Sequence, residues 1–278
     1  MTAAEPVPRT HSRARRIFGA LGILIAAASA GFFFYMSPPP SAQSPEVPAY
    51  TLQVVRELPH DPQAFTQGLL WHDGHLIEST GIRRRSSVRR VNPETGDVVA
   101  QRNLDDSFFG EGLARVGDRL LQLTWHGQVA LLWNATTLEP EGRLPYQGEG
   151  WGLCHDGTRL VMSNGGHTLT FRDPETFERL GSVQVRIAGR RVRRLNELEC
   201  VDGLVWANVW QDDTMVRIDP ATGNVTATVD ASELRERIEV RRNAVLNGIA
   251  YRPDTGQFYI TGKNWPSMFV TEFVPPAS

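Results

Sequence analysis

Only two cysteines, Cys154 and Cys200, occur in 278 residues, and two alone cannot build a structural zinc site. The seven histidines show no His-Glu-x-x-His spacing that would hold a catalytic metal. No Gly-x-Ser-x-Gly elbow and no phosphate-cradling loop are present, which removes the common signatures of serine hydrolases and nucleotide hydrolases. Charge of one sign is missing too. A formal net charge of -2 excludes nucleic acid as the expected partner. The local arginine groups, Arg83-Arg84-Arg85 and Arg190-Arg191 with Arg193-Arg194, read as solvated loops.

What is present is turn chemistry, with 25 glycines and 18 prolines, and a recurring phrase. A polar tip, a Gly-Leu or its equivalent, a turn and an apolar strand begin near Thr66, Gly110, Gly150, Asn196 and Asn247. Anchored on Gly68, Gly112, Gly152, Leu198 and Gly248, the copies are spaced by 44, 40, 46 and 50 residues. Such periods, with about four short strands each, predict an all-β fold, a five-bladed β-propeller. Between tips lies a second hairpin with Asp/Asn-Pro at its turn, as at Asn92-Pro93 and Asp219-Pro220. The last repeat is one strand short, so the strand from Tyr50 is predicted to complete it from outside and close the ring. Residues 231–238 are the candidate for a single helix.

The first part of the chain is different in kind. Arg9, Arg13, Arg15 and Arg16 precede an uncharged apolar run over residues 17–36. Twenty residues span about 30 Å as a helix, the thickness of a bilayer's hydrocarbon. Residues 1–16 are therefore expected to be a cytoplasmic basic region, 17–36 a membrane signal anchor or signal peptide, and 37–48 a Pro-rich tether. Residues 49–278 form the exported propeller, at the periplasmic or extracytoplasmic face. Ala28-Ser29-Ala30 fits a cleavage site, yet the apolar run continues beyond it, and both outcomes stay open. Export permits a Cys154–Cys200 disulfide, with two buried thiols as the alternative. Asn134 and Asn224 head glycosylation sequons, relevant only in a eukaryotic secretory pathway.

The tips carry an unusual set: Phe65, Gln67, Glu111, Trp125, Glu149, Trp151, Asn196, Glu197, Glu199, Trp210, Asn247, Lys263 and Trp265. Each has a bland reading, as packing between blades, solvated carboxylate or turn cap. Their recurrence at corresponding repeat positions is what assembles them into an aromatic-walled pocket with proton-transfer groups.

At these residues the sequence resembles a known family. His60-Asp61-Pro62, Gly110-Glu111-Gly112-Leu113, Glu149-Gly150-Trp151-Gly152, Asn196-Glu197-Leu198-Glu199, Trp206-Ala207-Asn208 and Gly262-Lys263-Asn264-Trp265 are similar, in order, to motifs of the plant and bacterial glutaminyl-peptide cyclotransferases. The resemblance implies a five-bladed propeller that cyclises the N-terminal glutamine of peptides or proteins to pyroglutamate, releasing ammonia. It implies catalytic roles for Glu111, Lys263, Asn196 and Gln67, and substrate-binding roles for Phe65, Trp125, Trp151 and Trp210. No cofactor is required; because some relatives carry calcium in the central channel, a structural calcium there is the candidate ion, although this chain has no dedicated carboxylate-rich loop. The expected partners are Gln-initiated peptides and, through the N-terminal segment, a membrane; the propeller is expected to be a monomer. Ile82-Arg83-Arg84-Arg85 departs from the family pattern, which bears on substrate preference rather than chemistry. The rival readings are a non-catalytic exported propeller that binds peptides or envelope proteins, and a channel-metal hydrolase.

Overall fold

Apolar residues alternate along the short strands and fold them into antiparallel sheets. The computed structural model describes residues 46–241 and 243–277. The assignments to residues 1–16 and 17–36, and most of the 37–48 tether, lie outside the described residues. Among those described, no helix is long and apolar enough to cross a membrane.

Three sheets have four strands each, in chain order. The first runs Thr66–His72, His75–Thr80, Ser87–Val91 and Val98–Asn103. The second runs Gly110–Val116, Arg119–Thr124, Val129–Asn134 and Pro140–Pro145. The third runs Leu153–His155, Leu160–Met162, Thr168–Arg172 and Arg179–Gln184. The remaining long strands share one eight-stranded sheet. One half is Leu195–Val201, Leu204–Val209, Thr214–Ile218 and Val225–Asp230. The other half is Leu246–Arg252, Gln257–Gly262, Ser267–Val274 and, outermost, the N-terminal strand Ala49–Pro59.

That N-terminal strand pairs antiparallel with Ser267–Val274, from Thr51 opposite Val274 to Pro59 opposite Ser267. Its first two residues also pair parallel with Thr228 and Val229, which joins the two halves. The first strands of successive units touch in sequence, and Leu246–Arg252 returns to Thr66–His72, so the array closes on itself. The helix is shorter than the sequence suggests, Ser232–Glu236.

The core lies between neighbouring units. Leu70, Ile77 and Val88 of the first sheet pack with Leu113, Leu120 and Trp133 of the second. Equivalent apolar sets fill the other four seams. Each seam hides a sheet face that water would otherwise wet, the dominant stabilising term in such a fold. Cys154 and Cys200, on the first strands of adjacent units, are joined by a disulfide. Closing a 46-residue separation contributes about 4 kcal/mol on a chain-entropy argument.

The first strands crowd around the axis. A Cβ at Gly152 would collide with the Asn196 carbonyl oxygen, so backbone approach there demands glycine. The fourth repeat breaks this rule, and its register corrects the sequence alignment. Leu198 faces Ala207 as Leu113 faces Gln122. Leu198 is thus the counterpart of Leu113, and the glycine slot belongs to Glu197. Its carboxylate turns into the axis and accepts the N–H groups of Ile249 (2.9 Å) and Leu69 (3.4 Å).

Strand direction fixes which end carries chemistry. Every first strand starts at the tip end and every second strand returns there. The segments that enter first strands and the loops that leave second strands therefore share one end. The tight turns gather at the other.

Candidate active site

Two positions in each repeat face the axis at the tip end. The entry to the first strand supplies Gln67, Glu111, Trp151, Asn196 and Asn247. The residue just after the second strand supplies Trp125, Trp210 and Lys263 in the second, fourth and fifth units. Phe65 and Phe109 each stand two residues before the tip residue of their own unit. Together these positions enclose a cavity of about 350 Å³, lined by Phe65, Gln67, Phe109, Glu111, Trp125, Trp151, Asn196, Trp210 and Lys263. All eight residues singled out from the sequence line it. The ninth, Phe109, was missed, although its two-residue offset from Glu111 repeats that of Phe65 from Gln67.

The aromatic walls hold one another edge to face, the geometry their quadrupoles favour. Phe65 and Phe109 have centroids 6.0 Å apart, Phe109 and Trp125 5.6 Å, and Trp151 and Trp210 5.6 Å. Glu149 ties the two groups together. Its Oε2 accepts the indole N–H of Trp125 and of Trp151, each at 3.0 Å. Lys263 Nζ lies 5.0 Å from the Phe65 ring centroid, a cation–π arrangement.

Glu111 and Asn196 face the cavity without partners. Glu111 is 4% exposed, and among the described residues its carboxylate has neither ion pair nor hydrogen bond. Burial pushes its pKa well above the ordinary 4.5, opposed by the Lys263 charge and reinforced by Glu149. Burial also lowers the Lys263 ammonium to about 8, opposed by Glu111. Both side-chain atoms of Asn196 are buried without a partner. A buried amide in that state costs about 1–3 kcal/mol, which a bound polar ligand would relieve. Gln67 is held in place by Asn247, whose Nδ2 donates to Thr66 O at 2.9 Å and approaches Gln67 Oε1 at 3.5 Å.

Calcium takes six to eight oxygen ligands, several of them carboxylate. The carboxylate turned into the axis, Glu197, already accepts two backbone amides. Among the described residues no group of three or more acidic, histidine or cysteine side chains could hold a metal ion. These residues do not compose a calcium cage, and no chemical step here is routed through one.

A surface that merely binds has no need of a carboxyl and an ammonium both desolvated, unpaired and facing one cavity. The closed all-β ring carries at its tip end a pocket in which a carboxyl, an ammonium and an amide face a space flanked by apolar walls, the setting of an enzyme site for a small polar group. A family model described as glutamine cyclotransferase matches residues 26–273. The chain is 41% identical over 223 residues to the glutaminyl-peptide cyclotransferase of Arabidopsis thaliana, covering 78% of this chain and 70% of that one. It also superposes on the crystal structure of Myxococcus xanthus glutaminyl cyclase with a TM-score of 0.79 and 40% identity, over 84% of this chain and 100% of the other. The chain belongs to the glutamine cyclotransferase family.

Proposed function

We propose that this chain is a glutaminyl-peptide cyclotransferase that converts an N-terminal glutamine to pyroglutamate and releases ammonia. The observation that carries the reading is Glu111, a buried and unpaired carboxyl sharing an aromatic cavity with Lys263 and Asn196.

The reaction needs little beyond folding and proton movement. Amine and amide belong to one residue, so confining the side chain in a ring-closing conformer removes most of the entropic barrier. Phe65, Phe109, Trp125, Trp151 and Trp210 supply that confinement. A free α-amine has a pKa of about 8 and must lose a proton before attack. Ionised Glu111 takes it. The amine nitrogen then bonds to the side-chain carbonyl carbon, and the negative charge moves to the carbonyl oxygen. Lys263, Asn196 and Gln67 are positioned to donate to that oxygen. Glu111 returns its proton to the amide nitrogen, the C–N bond breaks as the carbonyl re-forms, and the departing ammonia takes the second proton from the ring nitrogen and leaves as ammonium. The carboxyl ends as it began.

The same reading extends to the architecture. The closed array is a five-bladed propeller whose last blade is completed by the N-terminal strand. Residues 17–36 insert in the membrane as signal anchor or signal peptide, and 37–48 tether an exported monomer. No metal takes part in the chemistry.

The test is ammonia release from a short Gln-initiated peptide by the purified chain, with and without chelator. Release unaffected by chelator supports the reading. No release by folded protein demotes the pocket to a binding site, and loss under chelator restores a required cation.

A further inference from the structure

Beside the glutamine pocket lies a second, polar cavity of about 290 Å³, on the tip end of the first sheet. Its lining includes Gly81, Arg84, Arg85, Arg89, Gln101 and Asn103. Gly81 forms the partition between the two cavities. A methyl group there would strike the Phe109 ring and come within 3.1 Å of Gln67 Cγ, and both of those residues line the glutamine pocket. A chain leaving the pocket advances at most about 3.6 Å per residue. A substrate chain that leaves the pocket on the Gly81 side comes within reach of this cavity in a few residues.

The loop over the cavity, residues 82–85, is held in an unusual form. Ile82 has φ 79° and Arg84 φ 68°, a region that β-branched and bulky side chains avoid. The loop persists because it is anchored on both sides. Arg85 N–H donates to Ile82 O at 2.9 Å, and Ser86 Oγ donates to the same carbonyl at 3.0 Å. Ser86 Oγ in turn accepts Gly110 N–H at 3.0 Å, next to Glu111. Strain maintained by such anchoring tends to serve a site.

Charge is the second observation. Arg89 is committed: it bonds Glu78 at 2.8 Å and Asp61 at 2.8 Å. Among the described residues, none of Arg83, Arg84 or Arg85 has a carboxylate within ion-pair distance. Farther round the ring, the ribbon Arg186–Ile187 with Arg190–Arg191 carries further arginines without ion pairs among the described residues, its Arg186 N–H bonded to Gly223 O of the fourth unit. Arg191, Arg193 and Arg186 help burial to lower the His167 pKa, a sign of a local positive field. The opposite end is acidic, with turns bearing Asp73, Asp118, Glu139, Glu178, Asp202 and Asp254. At the tip end the positive charge is local to the arginine loops, which stand among Asp61, Asp105, Asp106, Glu149, Asp212 and Asp213.

We propose that the Arg83–Arg85 loop and the cavity beneath it form a subsite for acidic side chains in the two or three substrate residues that follow the cyclising glutamine. Arg84 and Arg85 supply the guanidinium forks, and Gln101 and Asn103 supply neutral donors around them. The local field of the arginine loop draws acidic peptides in before they dock. The subsite rests on the cyclotransferase reading for its substrate, but its own prediction concerns binding.

Two Gln-initiated peptides, identical except for Glu or Ser at positions three and four, are compared with the full chain. Both kcat/KM for ammonia release and Kd are measured at low and high salt. The expected result is about a tenfold advantage for the acidic peptide in kcat/KM at low salt, falling toward parity at 1 M salt. In the triple variant Arg83→Gln, Arg84→Gln, Arg85→Gln the advantage drops to about twofold or less, while turnover of the Ser peptide stays within about twofold. That retained turnover is the control for folding. Equal handling of both peptides by the wild type overturns the subsite, including where the chain binds anionic phospholipid vesicles through this end. An advantage that survives the triple variant but disappears in Arg190→Gln, Arg191→Gln overturns it in favour of the ribbon. If neither peptide releases ammonia, the cyclotransferase reading has failed, and the two Kd values still decide the subsite.

Discussion

Glu78 and Glu111 are both buried carboxyls near the tip end of adjoining sheets, yet their surroundings oppose each other. Glu78 is fully engaged. It accepts from Thr66 Oγ1 at 2.6 Å and from Arg89 Nε at 2.8 Å, and it pairs with His60 Nε2 at 3.1 Å. His60 also reaches Trp265 O at 2.8 Å, so this network pins the first unit to the last. Burial alone would raise the Glu78 pKa, but Arg89 and His60 outweigh it and lower it to about 2. Glu111 has the burial without the partners, and its pKa moves the other way. Partners, not depth, decide whether a buried carboxyl locks a fold or stands ready to exchange a proton.

The comparison can be broken at either end. The largest expected effect is on stability. Glu78→Gln takes from buried Arg89 one of its two carboxylates, leaving Asp61, and should destabilise the chain by about 3 kcal/mol, read as a fall in denaturation midpoint. The pH sign follows from the shift: Glu78 stabilises fully above pH 4.5 and the contribution is lost as pH falls through about 2. Glu111→Gln should do the reverse. It should fold with unchanged midpoint and lose at least about a hundredfold in kcat, roughly 2.7 kcal/mol of barrier. Lys263→Met sharpens the contrast, because it removes the charge that opposes burial at Glu111. The acid limb of the kcat/KM profile should move up, and the alkaline limb near pH 8, where Lys263 titrates, should disappear. The smallest effect is Glu149→Gln. It keeps an acceptor for the two indoles but removes a charge that raises Glu111, so the acid limb should move down. Glu149 is half-exposed, and solvent screening makes that shift the smallest of the set.

The pocket was legible because each repeat spends the same two positions on it. Phe65, Gln67, Glu111, Trp125, Trp151, Asn196, Trp210 and Lys263 stand out where strand alternation breaks off, and a closed ring brings equal positions together. Phe109 lay one repeat offset away and was hidden by Phe108, an adjacent aromatic that packs against the seam instead. The Cys154–Cys200 bond stayed open because it depends on lateral distance between units, which spacing does not encode. Glu197 was displaced by one position because a glutamate in a glycine slot defeats an alignment built on glycine. Its carboxylate is held there by two backbone amides across the axis that donate to it. The strained arginine loop was invisible for a related reason: nothing in Ile82-Arg83-Arg84-Arg85 announces positive φ.

The most direct test of the central claim is the protonation state of Glu111 itself. An infrared titration of the protonated carboxyl band, taken as the difference between wild type and Glu111→Gln, isolates it from Glu197 and Glu199, which burial also raises. The account predicts a band that persists well above pH 4.5 and moves to still higher pH in Lys263→Met. A carboxyl that ionises near 4.5, indifferent to Lys263, would contradict it.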